Sequence, residues 1–247
     1  MPKPPSASLG APATAAPVLL RSPRPSLSYL AISYLLVFPL FRLLLRGRTA
    51  GQANVPRTGA LVVVANHGSH LDPPLLGHAI GRPVAFMAKQ ELFRVPFLGA
   101  IIRACGAYPV ARGAGDREAI RMALQRLGQG WATGLFLDGT RQRDGRVNAP
   151  QSGAALLAAR AGVPLLPVAI INSQRALGPE HNQLRLVPVH IRIGRPIPPP
   201  ASRRRDDLEA TTRACQAEIN RLLDEGLIAP AGQLAAARGA AALPPRS

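Results

Sequence analysis

The chain has 247 residues, enough for one α/β domain with a sizeable core plus tails, and its two cysteines, Cys105 and Cys215, exclude a disulfide-built fold. Thirty Lys and Arg against thirteen Asp and Glu give a net charge of +17, which draws the protein toward anionic surfaces. Aromatic residues make up only 4% and no nucleic-acid-binding motif occurs, so the expected surface is a membrane and nucleic acid is not an expected partner.

Residues 1–25 are rich in Pro, Ala and Ser and free of acid, the composition of a disordered or targeting tail. A membrane-associating segment is expected over 26–49. Residues 25 to 41 carry no charge, and Leu27, Tyr29, Leu30, Ile32, Leu35, Leu36, Val37, Phe38, Leu40 and Phe41 make them strongly apolar; Arg42 and Arg46 then bracket Leu43-Leu44-Leu45. Seventeen uncharged residues sit at the lower limit for a bilayer span, whereas an apolar helix flanked by arginines suits the interface. A monotopic anchor is therefore expected in preference to a span. The alternative is a helix packed on the domain's own core, above all at Leu43 to Leu45. A globular domain follows over 50–228, and an Ala/Pro-rich loose tail over 229–247.

Leu61-Val62-Val63-Val64-Ala65 reads as a buried strand and Leu75 to Ile80 as a short helix, with Asn66 to Pro74 between them. His67 thus falls at a strand end, where active-site groups collect in α/β folds. Asp72 followed by Pro73 is a helix start, the carboxylate capping free N–H groups. Folded back, Asp72 accepts a hydrogen bond from one ring nitrogen of His67 and leaves the other as a base for a hydroxyl proton. Ser69 lacks the glycine-flanked elbow of a nucleophile, so Ser69 and His70 read as loop residues. His67, His70 and Asp72 are also possible metal ligands, but without a His-Glu-x-x-His helix or a cysteine cluster no metal is expected.

Further along, Val84 to Lys89 is a strand and Phe97 to Ala104 a short helix closed by Gly106. Gly106 to Arg112 is an edge-like strand because it holds Pro109. Asp116 caps a helix to about Gly128, with Ile120, Leu124 and Leu127 at helical spacing. The next strand, Gly134 to Asp138, runs into Gly139-Thr140-Arg141, where glycine can admit close approach, threonine can donate and arginine can grip a phosphate with two parallel bonds, although by itself Gly-Thr-Arg is also a common turn. Ser152 caps a helix over Ala154 to Ala161, Gly162 ends it, and Val163 to Ile171 is another buried strand. Leu184 to Ile193 alternates in part, and Leu208, Thr212, Cys215, Ile219 and Leu222 mark the inner face of a last helix. Both cysteines read as small buried residues. Alternating strands and helices predict an α/β domain, a mixed sheet flanked by helices.

With these residues in place the chain resembles the glycerolipid acyltransferases, most closely the 1-acylglycerol-3-phosphate acyltransferases. Four ordered blocks carry the resemblance: Asn66-His67 with Asp72; Gly106 to Arg112; Phe136-Leu137-Asp138-Gly139-Thr140-Arg141; and Val163 to Val168. Lys89-Gln90-Glu91-Leu92 looks like a fifth, shorter stretch between the first two, and places Lys89 among the substrate-binding residues. The resemblance covers about residues 50 to 195. It implies a single acyltransferase domain in which His67 takes the proton of a glycerol hydroxyl as that oxygen attacks an acyl thioester, with Asp72 orienting His67. It also implies that Arg112, Gly139, Thr140 and Arg141 hold the acceptor's phosphate and that the fourth block shapes the acyl side. Leu137 and Asp138 stand where the family has proline and glutamate, and Asp138 is expected either to brace an arginine or to contact substrate.

The implied reaction makes phosphatidate from lysophosphatidate in phospholipid biosynthesis, with no cofactor. An acyl-carrier-protein or coenzyme A thioester is the co-substrate, and a membrane-associated site on the cytoplasmic or stromal-type side is implied. Three alternatives stay open: a non-catalytic lipid-phosphate-binding relative, an acyltransferase for another lysophospholipid or glycerol-3-phosphate, and a metal-dependent lipid hydrolase.

Overall fold

The computed structural model describes residues 22–229 apart from 97, 111–114 and 182. The tail expected over 1–25 therefore lies outside the described residues as far as 21, and the tail expected over 229–247 lies outside them from 230.

Seven strands form one sheet: β1 (Arg48–Ala50), β2 (Leu61–Ala65), β3 (Val84–Lys89), β4 (Tyr108–Val110), β5 (Ala132–Phe136), β6 (Leu165–Ile171) and β7 (His190–Ile193). Their order is β1-β7-β6-β2-β5-β3-β4. All neighbours run parallel except β6 and β7, so the sheet is mixed as expected. β2 and β6 are buried along their whole length, which is why both read as unbroken apolar runs. The proline-bearing β4 lies at the sheet edge, where the missing N–H of Pro109 costs no central ladder bond.

Helices cover both faces. Leu61, Val63 and Ala65 face a core shared with α1 (Leu27–Leu44) and α2 (Asp72–Ile80). Val62 and Val64 face the opposite core, with α4 (Gly115–Gly128), α5 (Gly153–Ala161) and α7 (Arg205–Asp224). The described residues also hold two short helices, α3 (Leu98–Ala104) and α6 (Ser173–Leu177). In α7, Thr212, Cys215, Ile219 and Leu222 of the stripe read from the sequence are buried, while its first member, Leu208, is half-buried. Cys105 is only half-buried, because it follows the last turn of α3.

α1 buries one stripe, half-buries Leu30, Ile32, Pro39 and Leu40 beside it, and exposes most of the rest. Tyr29, Ser33, Val37, Phe41 and Leu45 are buried at a constant spacing of four. At about 3.6 residues per turn, four residues overshoot a full turn by roughly 40°, so an ordinary helix would carry this stripe off the core. The turns of α1 widen to the i→i+5 type over Ile32–Val37 and Leu40–Leu44, which keeps the stripe aligned. The Tyr29 hydroxyl donates to the carbonyls of Gly77 (3.1 Å) and Arg82 (3.2 Å), and Ser33 Oγ pairs with His78 Nδ1 at 2.9 Å. Gly47 admits the Phe41 ring, since a Cβ there would stand 2.3 Å from it. Core packing thus extends to the first part of α1, while Leu27, Tyr34, Leu35, Leu36, Phe38, Leu43 and Leu44 face outward. By length and composition α1 is able to cross a membrane.

Several boundaries differ from the sequence reading: β4 starts at Tyr108 where Gly106 was expected, β6 at Leu165 where Val163 was expected, and α2 at Asp72 where Leu75 was expected. β5 covers Ala132–Phe136 where a strand was expected over Gly134 to Asp138, because the chain turns at Leu137 and Asp138 into Gly139 at φ +69°. Of Leu184 to Ile193 only His190–Ile193 is strand. β1, which no periodicity announces, pairs with β7 from Arg48 to Ala50, so the sheet begins inside the segment assigned to the anchor.

Candidate active site

The C-terminal ends of β2, β3 and β5 share one edge of the sheet, the edge at which parallel α/β sheets bind ligands. The loop after β2 carries His67 and the loop after β5 carries Asp138 to Arg141, so two expected site segments become neighbours.

His67 Nδ1 lies 2.8 Å from Asp72 Oδ2. The same oxygen accepts the backbone N–H groups of Gly68 (2.8 Å) and Ser69 (2.7 Å). Asp72 is fully buried and occupies the first residue of α2, with Leu71 as the cap. Its carboxylate therefore reaches back to cap the loop, where the sequence reading had it capping the helix. Three donors converging on one oxygen fix the carboxylate, and the carboxylate fixes the Nδ1–H tautomer of the ring. Nε2 is left as the acceptor nitrogen of a ring that keeps partial exposure.

Packing positions the ring as firmly as the hydrogen bond does. Phe136 lies flat on His67, with centroids 3.8 Å apart and planes 10° apart, and Phe86 stacks behind Phe136 at 5.8 Å. Gly134, paired with Phe86 in the sheet, makes room for this stack: a Cβ there would stand 2.2 Å from the Phe86 ring. Gly134→Ala should therefore destabilise the fold by about 1–3 kcal/mol, the cost of overpacking a filled core. Denaturant unfolding measures it, and wild-type stability would show that the stack has slack.

The two loops are bolted together. Gln142 N–H donates to the carbonyl of His67 (2.7 Å), and Asn66 Nδ2 donates to the carbonyls of Gly145 (2.7 Å) and Ile170 (2.8 Å). Arg141 Nη1 donates to His70 Nε2 at 2.7 Å. His70 thus holds the arginine of the third block, a task beyond the loop residue expected of it. Ser69 is buried and its hydroxyl donates to the carbonyl of Leu177 (2.7 Å), which turns it away from His67.

Asp138 is placed differently from both expected tasks. It is buried, and its two oxygens accept the N–H groups of Asn148 (3.1 Å) and Ala149 (3.0 Å). It closes the loop that carries Gly139, Thr140 and Arg141, and among the described residues it meets no arginine. Within that loop the Arg146 N–H and the Asn148 amide hold the Asp144 carboxyl below its ordinary range. Gly139 and Thr140 are exposed. Lys89 closes β3 at the same sheet edge. Arg112 lies outside the described residues. The fourth block is core: Leu165 to Val168 are buried strand residues beside β2, so it supports the sheet under the site where it was expected to shape an acyl pocket. Among the described residues no group of three or more His, Cys, Asp or Glu is placed to hold a metal ion.

The sequence assigned no role to Asn66, Phe136 or Gly134 beyond block or strand membership, and His70 was read as a loop residue or possible metal ligand, not as the partner of Arg141. Only Gly134 carried a signal, since a glycine inside a strand marks a close approach.

A buried carboxylate holding a histidine at the edge of a mixed α/β sheet, beside an exposed glycine and threonine and a tethered arginine, defines a candidate site with a base and a cationic group side by side. The chain belongs to the Acyltransferase family, whose profile matches residues 46–171 and so takes in every site residue considered above. It is 27% identical over 130 residues to the 1-acyl-sn-glycerol-3-phosphate acyltransferase of Borreliella burgdorferi, covering 50% of each chain. It is 30% identical over 129 residues to the enzyme of that name in Bacillus subtilis, covering 51% of this chain and 63% of the other. The crystal structure of the 1-acyl-sn-glycerophosphate acyltransferase PlsC of Thermotoga maritima superposes with a TM-score of 0.65 at 27% identity, covering 74% of both chains. The chain spans about half the length of the curated relatives it matches.

Proposed function

We propose that the protein transfers a fatty acyl group from an acyl thioester to the free hydroxyl of 1-acylglycerol-3-phosphate, giving phosphatidate. The observation that carries this is the His67–Asp72 pair, built at the sheet edge beside the Gly139–Arg141 loop. The names of the relatives supply the substrate class. The acceptor's phosphate sits against Arg141 and Thr140, and its hydroxyl meets His67 Nε2. The ring takes the hydroxyl proton as the oxygen attacks the thioester carbonyl carbon. As the carbonyl reforms, the C–S bond breaks and the thiolate leaves with that proton. Asp72 balances the imidazolium formed in between, and general-base help of this kind contributes roughly 10²–10⁴-fold in rate.

The test is mass detection of phosphatidate from purified protein given lysophosphatidate with an acyl-carrier-protein thioester in one arm and a coenzyme A thioester in the other. Product in either arm supports the proposal and identifies the donor. Phosphate binding without product in both arms would favour the non-catalytic reading.

Arg141→Lys should raise the acceptor KM by about tenfold or more with a smaller change in kcat, because one ammonium cannot form two parallel bonds to a phosphate. His70→Ala should act in the same direction by untethering Arg141, and His70→Gln, which keeps an acceptor, should restore much of the loss. Unchanged acceptor KM in both alanine and lysine variants would place the phosphate elsewhere.

A further inference from the structure

We propose that the exposed run Gln183–Leu186 is a second lipid-contact element, acting with α1 to fix the height and tilt of the active site on an anionic bilayer. The proposal rests on the reading that the acceptor is held in a membrane.

Leu184 and Leu186 are 44% and 53% exposed and flank the exposed Arg185. Isolated surface leucines need no explanation. These two differ because of what the segment is attached to. Arg46, just past α1, donates from Nη2 to the carbonyl of Leu186 at 2.8 Å, and Val189 N–H donates to the carbonyl of Leu45 at 3.0 Å. The run is thus fastened to the end of α1, where Leu43 and Leu44 also point outward at 71% and 49% exposure. Arg42, Arg46 and Arg185 are exposed at this junction, and no acidic residue lies between Gln183 and Leu186 or anywhere in α1. Outward leucines beside exposed arginines are the composition of a segment seated at the headgroup level of an anionic membrane.

The other end of the segment reaches the catalytic loop. Arg185 N–H donates to the carbonyl of Ala176 in α6 at 2.8 Å, and the carbonyl of Leu177, the last residue of α6, accepts the Ser69 hydroxyl. Gln174 of α6 packs against Gly68, where a Cβ would stand 2.8 Å from the Gln174 Cβ. A single helix lying in an interface is free to roll about its own axis. A second contact off that axis removes the roll, and this one is linked through α6 to the residue two places from His67.

Depth-dependent quenching tests the proposal on the full chain. Leu186→Trp and Leu35→Trp are each mixed with vesicles of equal parts phosphatidylcholine and phosphatidylglycerol carrying brominated acyl chains, and read against the signal of the native Trp131. Quenching of both added tryptophans is expected. Quenching at Leu35→Trp alone would overturn the second contact while leaving membrane binding by α1 intact, whereas quenching at neither would remove the membrane reading as well. A paired variant, Leu184→Asp with Leu186→Asp, should weaken partition into the same unbrominated vesicles on the order of tenfold, since two partly exposed leucines lose apolar burial of roughly that worth. Unchanged partition would overturn the proposal. A shift to dimers without quenching at Leu186→Trp would do so too, assigning the face to a second copy.

Discussion

His67→Ala should lower turnover by roughly 10²–10⁴-fold or to below detection while leaving the fold intact. The ring is partly exposed, and its removal leaves the Asp72 carboxylate still bonded to the N–H groups of Gly68 and Ser69. Circular dichroism and the thermal midpoint check the fold, and mass detection of phosphatidate checks the rate. Asp72 separates two contributions that are usually lost together. One oxygen receives all three donors, so in Asp72→Asn the two backbone N–H groups orient the amide with its oxygen toward His67, and the Nδ1–H tautomer survives. What disappears is the negative charge opposite the imidazolium. Turnover should fall by about 10–10²-fold, less than in His67→Ala. The new amide N–H₂ occupies the place of Oδ1, a buried atom with no hydrogen-bond partner, and should cost about 1–3 kcal/mol of stability. Equal losses in His67→Ala and Asp72→Asn would mean that charge, not tautomer, is the whole contribution of the pair.

The second large effect is expected at Asp138. Asp138→Ala strips the acceptors from two backbone N–H groups of the loop that carries Arg141 and touches His67 through Gln142. At about 1–3 kcal/mol for a buried unsatisfied donor, a loss near 2–3 kcal/mol is expected, or roughly 4–12 °C in Tm for a domain of this size. The acceptor KM should rise with it, because Arg141 loses its platform. Asp138→Glu keeps acceptors for both N–H groups and should hold turnover within about tenfold of wild type. A stable Asp138→Ala with wild-type kinetics would show that the loop needs no such closure.

The sheet was largely legible because β2 and β6 are buried on both faces and their apolar runs have no other use. The strand-end position of His67, and Asp72 within its reach, followed from one loop and one Asp-Pro step. The direction of the Asp72 carboxylate did not, since helix N–H groups and loop N–H groups are equally near in sequence. β1 stayed hidden because Arg48-Thr49-Ala50 has no apolar alternation and takes its place only through β7. The part of Asp138 was obscured by a partner ten residues downstream: nothing in Asn148-Ala149 signals that their backbone groups fold back to it. α1 misled in a different way, since a stripe at spacing four in an almost wholly apolar segment cannot be told from a uniform surface until the core beneath it is known.

The most direct measurement is a stoichiometric one, counting free thiol released and phosphatidate formed in the same reaction mixture of purified full chain, lysophosphatidate and acyl thioester. Direct attack by an acceptor hydroxyl under His67 requires one thiol per phosphatidate, negligible thiol release without lysophosphatidate, and the loss of both products together in His67→Ala. Thiol release that proceeds without acceptor, or phosphatidate formation by His67→Ala at the wild-type rate, would contradict it.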